Sequence, residues 1–248
     1  MGTARVVAIP GLLLALCSVF AAHADQIYLS ANFDDKTVGF PVGEGGAEAN
    51  EPYGVEHSLA DTVRSAPFPT PCLEVFNPDP VEGGFVFFSL LGGTDVVAGL
   101  VVIGVELWFP GPIDQSGYRL AVYPLTDWSH RFVEIEFSSS GQAWVGDYNG
   151  YSGGSGGVGA YPTGRAFPLV VAFDMDAGTY SVWIDDSQVV TDEPHGVEGF
   201  GVGQVLIGMS GPSQGAKFWL DSVGVTDYMF SVPAMPLSWG GMKGLWGE

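Results

Sequence analysis

"FPLVVAFDMDAGTYSVWIDDSQVV", Phe167 to Val190, is the stretch whose reading decides the fold. Pro168 to Phe173 form a nearly unbroken apolar run, the pattern of a strand covered on both faces. After it the period becomes two: Tyr180, Val182 and Ile184 point one way, Ser181 and Trp183 the other. Between the runs, "DMDAGT" is turn chemistry, in which Asp accepts local backbone hydrogen bonds and Gly178 supplies a positive φ. The aspartates Asp174, Asp176, Asp185 and Asp186 invite a metal-loop reading, but the spacing of a calcium-binding helix-loop-helix fails, because its central Gly and distal Glu are missing. The stretch reads as a hairpin.

The same rhythm extends over the rest of the chain. "GVELWFPGP", "GYRLAVYPL", "RFVEIEFSSSG", "QAWVGDYNG", "GQVLIGMSG" and "KFWLDSVGVTDY" are short apolar-polar runs bounded by Gly, Pro, Asp and Ser. No segment keeps a helical period over ten residues, and the 37 glycines and 17 prolines fall mostly between the runs. Many short strands with frequent turn signals predict an all-β fold, a two-sheet antiparallel β-sandwich or jelly roll. Glu44 to Pro80 is poor in strand signal and carries "APFPTPC", so it reads as long connections over the sandwich edge.

The N-terminal "MGTARVVAIPGLLLALCSVFAAHADQ" has one Arg, an apolar run and an Ala22-His23-Ala24 end, the pattern of a secretory signal over residues 1–24. Leu16 before Cys17 does not suit a lipobox, which needs a small residue there. The sandwich is then expected over residues 25–230 and a C-terminal tail over 231–248. No second apolar run is long enough to span a bilayer. Cys72 is the one cysteine left after the signal, so no internal disulfide forms and a packed core must hold the fold. A content of 46% hydrophobic and 13% aromatic residues is enough to build one. The formal net charge is −20, or −21 once Arg5 leaves with the signal. Such a surface repels phosphate backbones and anionic lipids and leaves neutral sugars and divalent cations as better partners.

The order of elements resembles the concanavalin A-like lectin and glucanase superfamily, in particular laminin-G-like modules. The likeness rests on "YLSANFDDKTVGFP" as a first strand, on the Phe167–Val190 hairpin and on "KFWLDSVGVTDY" as a closing strand. What the resemblance implies is a pairing of first and last strands, with a structural calcium shared by Asp34 or Asp35 and Asp221. The alternative for these aspartates is turn capping. Glycan hydrolases of that superfamily carry a Glu-x-Asp-x-Glu strand. Here "FVEIEFSSS" places Glu134 and Glu136 on one strand face about 7 Å apart, near the separation that two-carboxylate catalysis uses. The third acid is replaced by Ser138, and ordinary alternation would leave both glutamates in water with Val133, Ile135 and Phe137 buried.

A second set surrounds a Gly-rich loop: Trp144, Asp147, Tyr148, Asn149, Tyr151 and Tyr161. Aromatic rings cover the apolar faces of sugars while Asp and Asn bond their hydroxyls, so this mixture suits a shallow carbohydrate surface. "GGSGG" around Ser155 matches a nucleophile elbow in form alone, since no helix follows it. His57, His130 and His195 are scattered without an evident partner. The ending "SWGGMKGLWGE" looks like terminal segments of some exported bacterial proteins, or an apolar tail folded on the sandwich. The expected protein is an exported bacterial recognition or adhesion module in the periplasm or at the cell surface, with a glycan or cell-surface polysaccharide as partner. Hydrolysis through Glu134 and Glu136, or a structural envelope or matrix role without a small ligand, stand as the alternatives.

Overall fold

The computed structural model describes residues 26–33, 53–55, 60–79, 83–90, 93–111, 117–147, 150–151, 159–211 and 214–227. The leader expected over residues 1–24 and the tail over 231–248 lie outside them. In chain order the strands are β1 (Ile27–Asn32), β2 (Tyr53–Val55), β3 (Ala60–Arg64), β4 (Cys72–Phe76), β5 (Gly84–Ser89) and β6 (Leu100–Trp108). Then come β7 (Gly117–Tyr123), β8 (Val133–Phe137), β9 (Gln142–Asp147), β10 (Gly150–Tyr151) and β11 (Gly159–Ala160). The last are β12 (Ala166–Asp174), β13 (Thr179–Ile184), β14 (Ser187–Pro194), β15 (Gln204–Ser210) and β16 (Lys217–Thr226).

They form two antiparallel sheets. The first has the order β14-β13-β12-β6-β16-β4-β3, with β1 also on β16; the second has the order β10-β9-β8-β7-β15-β5-β2, with β11 also on β9. The two-sheet sandwich and the pairing of first and last strands are as expected. No helix among the described residues is long and apolar enough to cross a membrane.

Local chemistry accounts for the deciding hairpin. Asp174 Oδ1 accepts the backbone N–H groups of Asp176 and Ala177 at 3.1 and 2.8 Å, and Gly178 closes the turn at φ 69°. The next turn is Asp185-Asp186, both at positive φ, as a two-residue hairpin loop requires. Arg165 clamps Asp185 there through two nitrogens, at 2.8 and 2.5 Å. Phe167, Leu169, Val171 and Phe173 enter the core between the sheets, while Val170 packs with Val102 on the outer side. The run is apolar on both faces for that reason.

One segment departs from the sequence reading. Glu44 to Pro80 contributes β2, β3 and β4 rather than connections alone, and β4 lies inside the first sheet, between β16 and β3. Pro67, Pro69 and Pro71 belong to the β3-β4 connection. That connection crosses the outer face of the first sheet and lays Phe68 against buried Cys72 and Trp219. Burial pushes the Cys72 thiol up to about 11.

Candidate functional site

The outer face of the second sheet is where register gathers polar chemistry. Alternation sends Val133, Ile135 and Phe137 into the core and leaves Glu134 and Glu136 on the other side of β8. Pairing then sets one row across the sheet: Trp144 opposite Glu136, Glu136 opposite Arg119, Arg119 opposite Gly208, Gly208 opposite Phe85. The adjacent row runs Gly146, Glu134, Ala121, Leu206, Phe87. Small residues form the floor. A Cβ at Gly208 would fall 1.9 Å from the Gly84 carbonyl oxygen, so only glycine fits there. Its bare backbone also lets the Arg119 guanidinium pass over and rest 4.2 Å from the centre of the Phe85 ring.

Glu134 is the pivot of the face. It is only 5% exposed, and each of its oxygens faces an arginine. Oε2 takes Arg131 Nη1, and Oε1 lies 3.6 Å from Arg119 Nη1. Arg131 also donates from Nη2 to the Asp147 carbonyl at 3.0 Å, tying the entry of β8 to the end of β9. Tyr123 stands beside this group. Burial raises its phenol pKa first, the Glu134 charge raises it further, and Arg131 and Arg119 oppose both. Its ring stacks on Trp128 at 6.1 Å, and Trp128 is 48% exposed. The face therefore offers two paired guanidiniums, two carboxylates and a fringe of aromatic rings.

The structure redistributes the residues singled out from sequence. Trp144 is half-buried on this face, opposite Glu136. Asp147 is buried at the end of β9, where its carbonyl holds Arg131 and its charge acts on His195. Tyr161 belongs to the core and not to a sugar surface: it is 6% exposed, its hydroxyl donates to the Ser138 carbonyl at 3.1 Å, and its ring meets Phe109 and Phe137 edge-on. Burial pushes its phenol up to about 12. Tyr148 and Asn149 lie outside the described residues, and Tyr151 is described only as backbone opposite Gly146.

Glu134 is not the solvated carboxylate that alternation predicts, because Arg119 and Arg131 close over it. A carboxylate with both oxygens engaged by guanidiniums acts as an anchor, unlike the free acid or nucleophile of a two-carboxylate mechanism. Asp221 sits at a bulge in β16, between Leu220 and Ser222, is buried, and accepts the Thr70 hydroxyl at 2.8 Å. Asp34 and Asp35 lie outside the described residues. No group of three or more His, Cys, Asp or Glu side chains among the described residues could hold a metal ion.

Sequence reasoning did not place Arg119, Arg131, Tyr123, Trp128 and Phe85 in any site. The visible signal was a charged residue inside the apolar strand "GYRLAVY", which has no reason to be there unless a partner faces it.

No protein-family model matches the chain, and no curated protein is similar to it. Solved structures are similar in fold. A sialidase aligns with TM-score 0.58 at 10% identity, over 80% of this chain and 18% of its own. A conserved carbohydrate esterase of the Shiga toxin-encoding bacteriophage phi24B aligns with TM-score 0.56 at 10% identity, over 82% of this chain and 98% of its own. The T. cruzi calreticulin globular domain aligns with TM-score 0.54 at 8% identity, over 82% and 89%. This chain thus spans less than a fifth of the sialidase but nearly all of the esterase chain. Identities this low carry the architecture alone.

Proposed function

We propose that the chain is an exported, concanavalin A-like recognition module that binds a neutral glycan on the outer face of its second sheet. The observation that carries this reading is the juxtaposition of accessible aromatic rings with a charge cluster that is internally balanced. Arg119 and Arg131 face Glu134 and Glu136, so the group presents donors and acceptors without net charge, which is what sugar hydroxyls require. Trp144 and Trp128 supply flat surfaces for the apolar sides of pyranose rings. The fold likeness to a sialidase and to a carbohydrate esterase supports a saccharide ligand, and the net charge of −20 disfavours a polyanionic one. Binding is favoured over hydrolysis because both oxygens of Glu134 are occupied.

The test is a glycan array probed with the protein in calcium and again in chelator, alongside reducing-sugar release from the same polysaccharides. Retention of neutral glycans that Trp144→Ala abolishes, with no sugar released, is the expected result. Sugar release that Glu136→Gln stops would favour hydrolysis. Silence on the array from a well-folded sample would favour a structural role. A response confined to the calcium buffer would support the calcium site of Asp34, Asp35 and Asp221.

A further inference from the structure

At one end of the sandwich a cavity of about 550 Å³ opens between the β12-β13 turn and the loop that follows β14. Its wall is apolar through Val97, Met175, Val197 and Phe200, and its lining includes two carboxylates, Asp176 and Glu198. Both are exposed, and neither pairs with any of the described cations.

His195 belongs to the same lining but is only 5% exposed. Its backbone N–H donates to the Gly178 carbonyl at 3.1 Å, and its Nδ1 accepts the Val197 N–H at 3.1 Å. The ring is neutral, since burial lowers its pKa below the ordinary value, against the opposing charge of Asp147. With Nδ1 accepting, the remaining proton is on Nε2. That N–H is buried and has no acceptor among the described residues. Phe132 and Phe173 pack edge-on at 5.0 and 6.4 Å and offer none. Nε2 lies beside Gly178, another residue of the lining, where an added Cβ would stand 3.9 Å from it. A buried donor left unpaired is uncommon in folded proteins and calls for an explanation.

We infer that this cavity is a second binding site, for a small amphipathic amine. The apolar wall takes the body of such a molecule, Glu198 and Asp176 take its ammonium at the rim, and His195 Nε2–H donates to an oxygen at its far end. The two exposed carboxylates favour a cation over a neutral molecule, and an anion would be repelled by them. The strongly acidic chain as a whole draws the same sign of ligand.

Three probes separate the parts of this inference: tyramine, which has an ammonium, a ring and a phenolic oxygen; tyrosol, in which a hydroxyl replaces the ammonium; and phenethylamine, which lacks the oxygen. Binding to the full chain is followed by NMR at the Met175 methyl and the His195 ring. Tyramine is expected to saturate near about 1 mM, a typical strength for so small a ligand. Tyrosol should bind at least tenfold more weakly and phenethylamine several-fold more weakly. Glu198→Gln should erase the preference of tyramine over tyrosol. Ala177→Trp, at an exposed turn position, should block all three while leaving the melting temperature and any glycan retention unchanged. Equal binding of tyramine and tyrosol, or a Met175 signal that no probe moves, would overturn the inference. Neither result bears on the glycan face, whose own array is independent.

Discussion

The two outer faces of the sandwich differ in what they bury: an apolar cluster edged by the Arg64-Glu74-Lys217 ion pairs on the first sheet, a carboxylate held by two arginines on the second. On the first sheet, Trp219, Cys72 and Phe68 are buried together, with Trp108 packed on them, and a neighbouring patch joins Val102 and Val170. The β3-β4 connection covers part of that face. On the second sheet, a strand of the same kind carries Glu134 where an apolar residue would suit burial, and two arginines are recruited to hold it. β16 is buried along nearly its whole length, with Phe218, Leu220, Val223 and Val225 in the core and the polar Asp221, Ser222 and Thr226 buried as well. The charged face has no explanation in stability, since a buried ion pair is at best weakly stabilising compared with well-packed apolar residues. The proposed recognition role accounts for chemistry held at that cost.

Substitutions can break this contrast. The largest effect is expected from Trp219→Ala on the first face, which removes a buried ring and should cost about 3 kcal/mol or more of stability in denaturant unfolding. The folded fraction should bind glycan as before. Next comes Glu134→Gln. It leaves Arg119 and Arg131 facing a neutral group, and since both are partly open to solvent the loss should be about 2 kcal/mol, below that of a fully buried pair. Glycan retention should vanish with it. If Glu134→Gln were neutral in both respects, the pivot assigned to this residue would be wrong. Trp144→Ala should reverse the pattern of Trp219→Ala, with less than about 1 kcal/mol lost in stability and roughly tenfold or more lost in affinity, or about 1.4 kcal/mol.

The smallest effect concerns Cys72, which lies under the sealed face. Its pKa is raised in the fold, so its contribution to stability is complete below the unfolded value of 9.0 and is lost as pH rises through about 11. Unfolding curves from pH 8 to 11 should show this loss, and Cys72→Ala should flatten that part of the slope. Rapid alkylation of the native protein by iodoacetamide at pH 8 would contradict a sealed first face.

The architecture was legible from sequence because it depends on local signals. The alternation in Tyr180 to Ile184 and the Asp-Gly turn at Asp174 to Gly178 are each encoded within a dozen residues. The strands between Glu44 and Pro80 were not legible. "VEHSLADTVR" shows little alternation, and β4 takes its place in the sheet from its neighbours β16 and β3 rather than from its own pattern. The site was legible only in part. Trp144 and the Glu134-Glu136 pair stand out as residue types, but their meaning depends on register, which brings Arg119 across from Glu136. Tyr161 was misassigned because a tyrosine following a Gly-rich loop looks the same in sequence whether its ring faces water or, as here, lies over Phe109 and Phe137.

The most direct test of a binding site on the second sheet runs Trp144→Ala and Trp219→Ala side by side on one glycan array, at a temperature where both remain folded. Loss of neutral-glycan retention with Trp144→Ala and its survival with Trp219→Ala is the predicted result. Equal retention by both variants, or loss with Trp219→Ala alone, would contradict a binding site on the outer face of the second sheet.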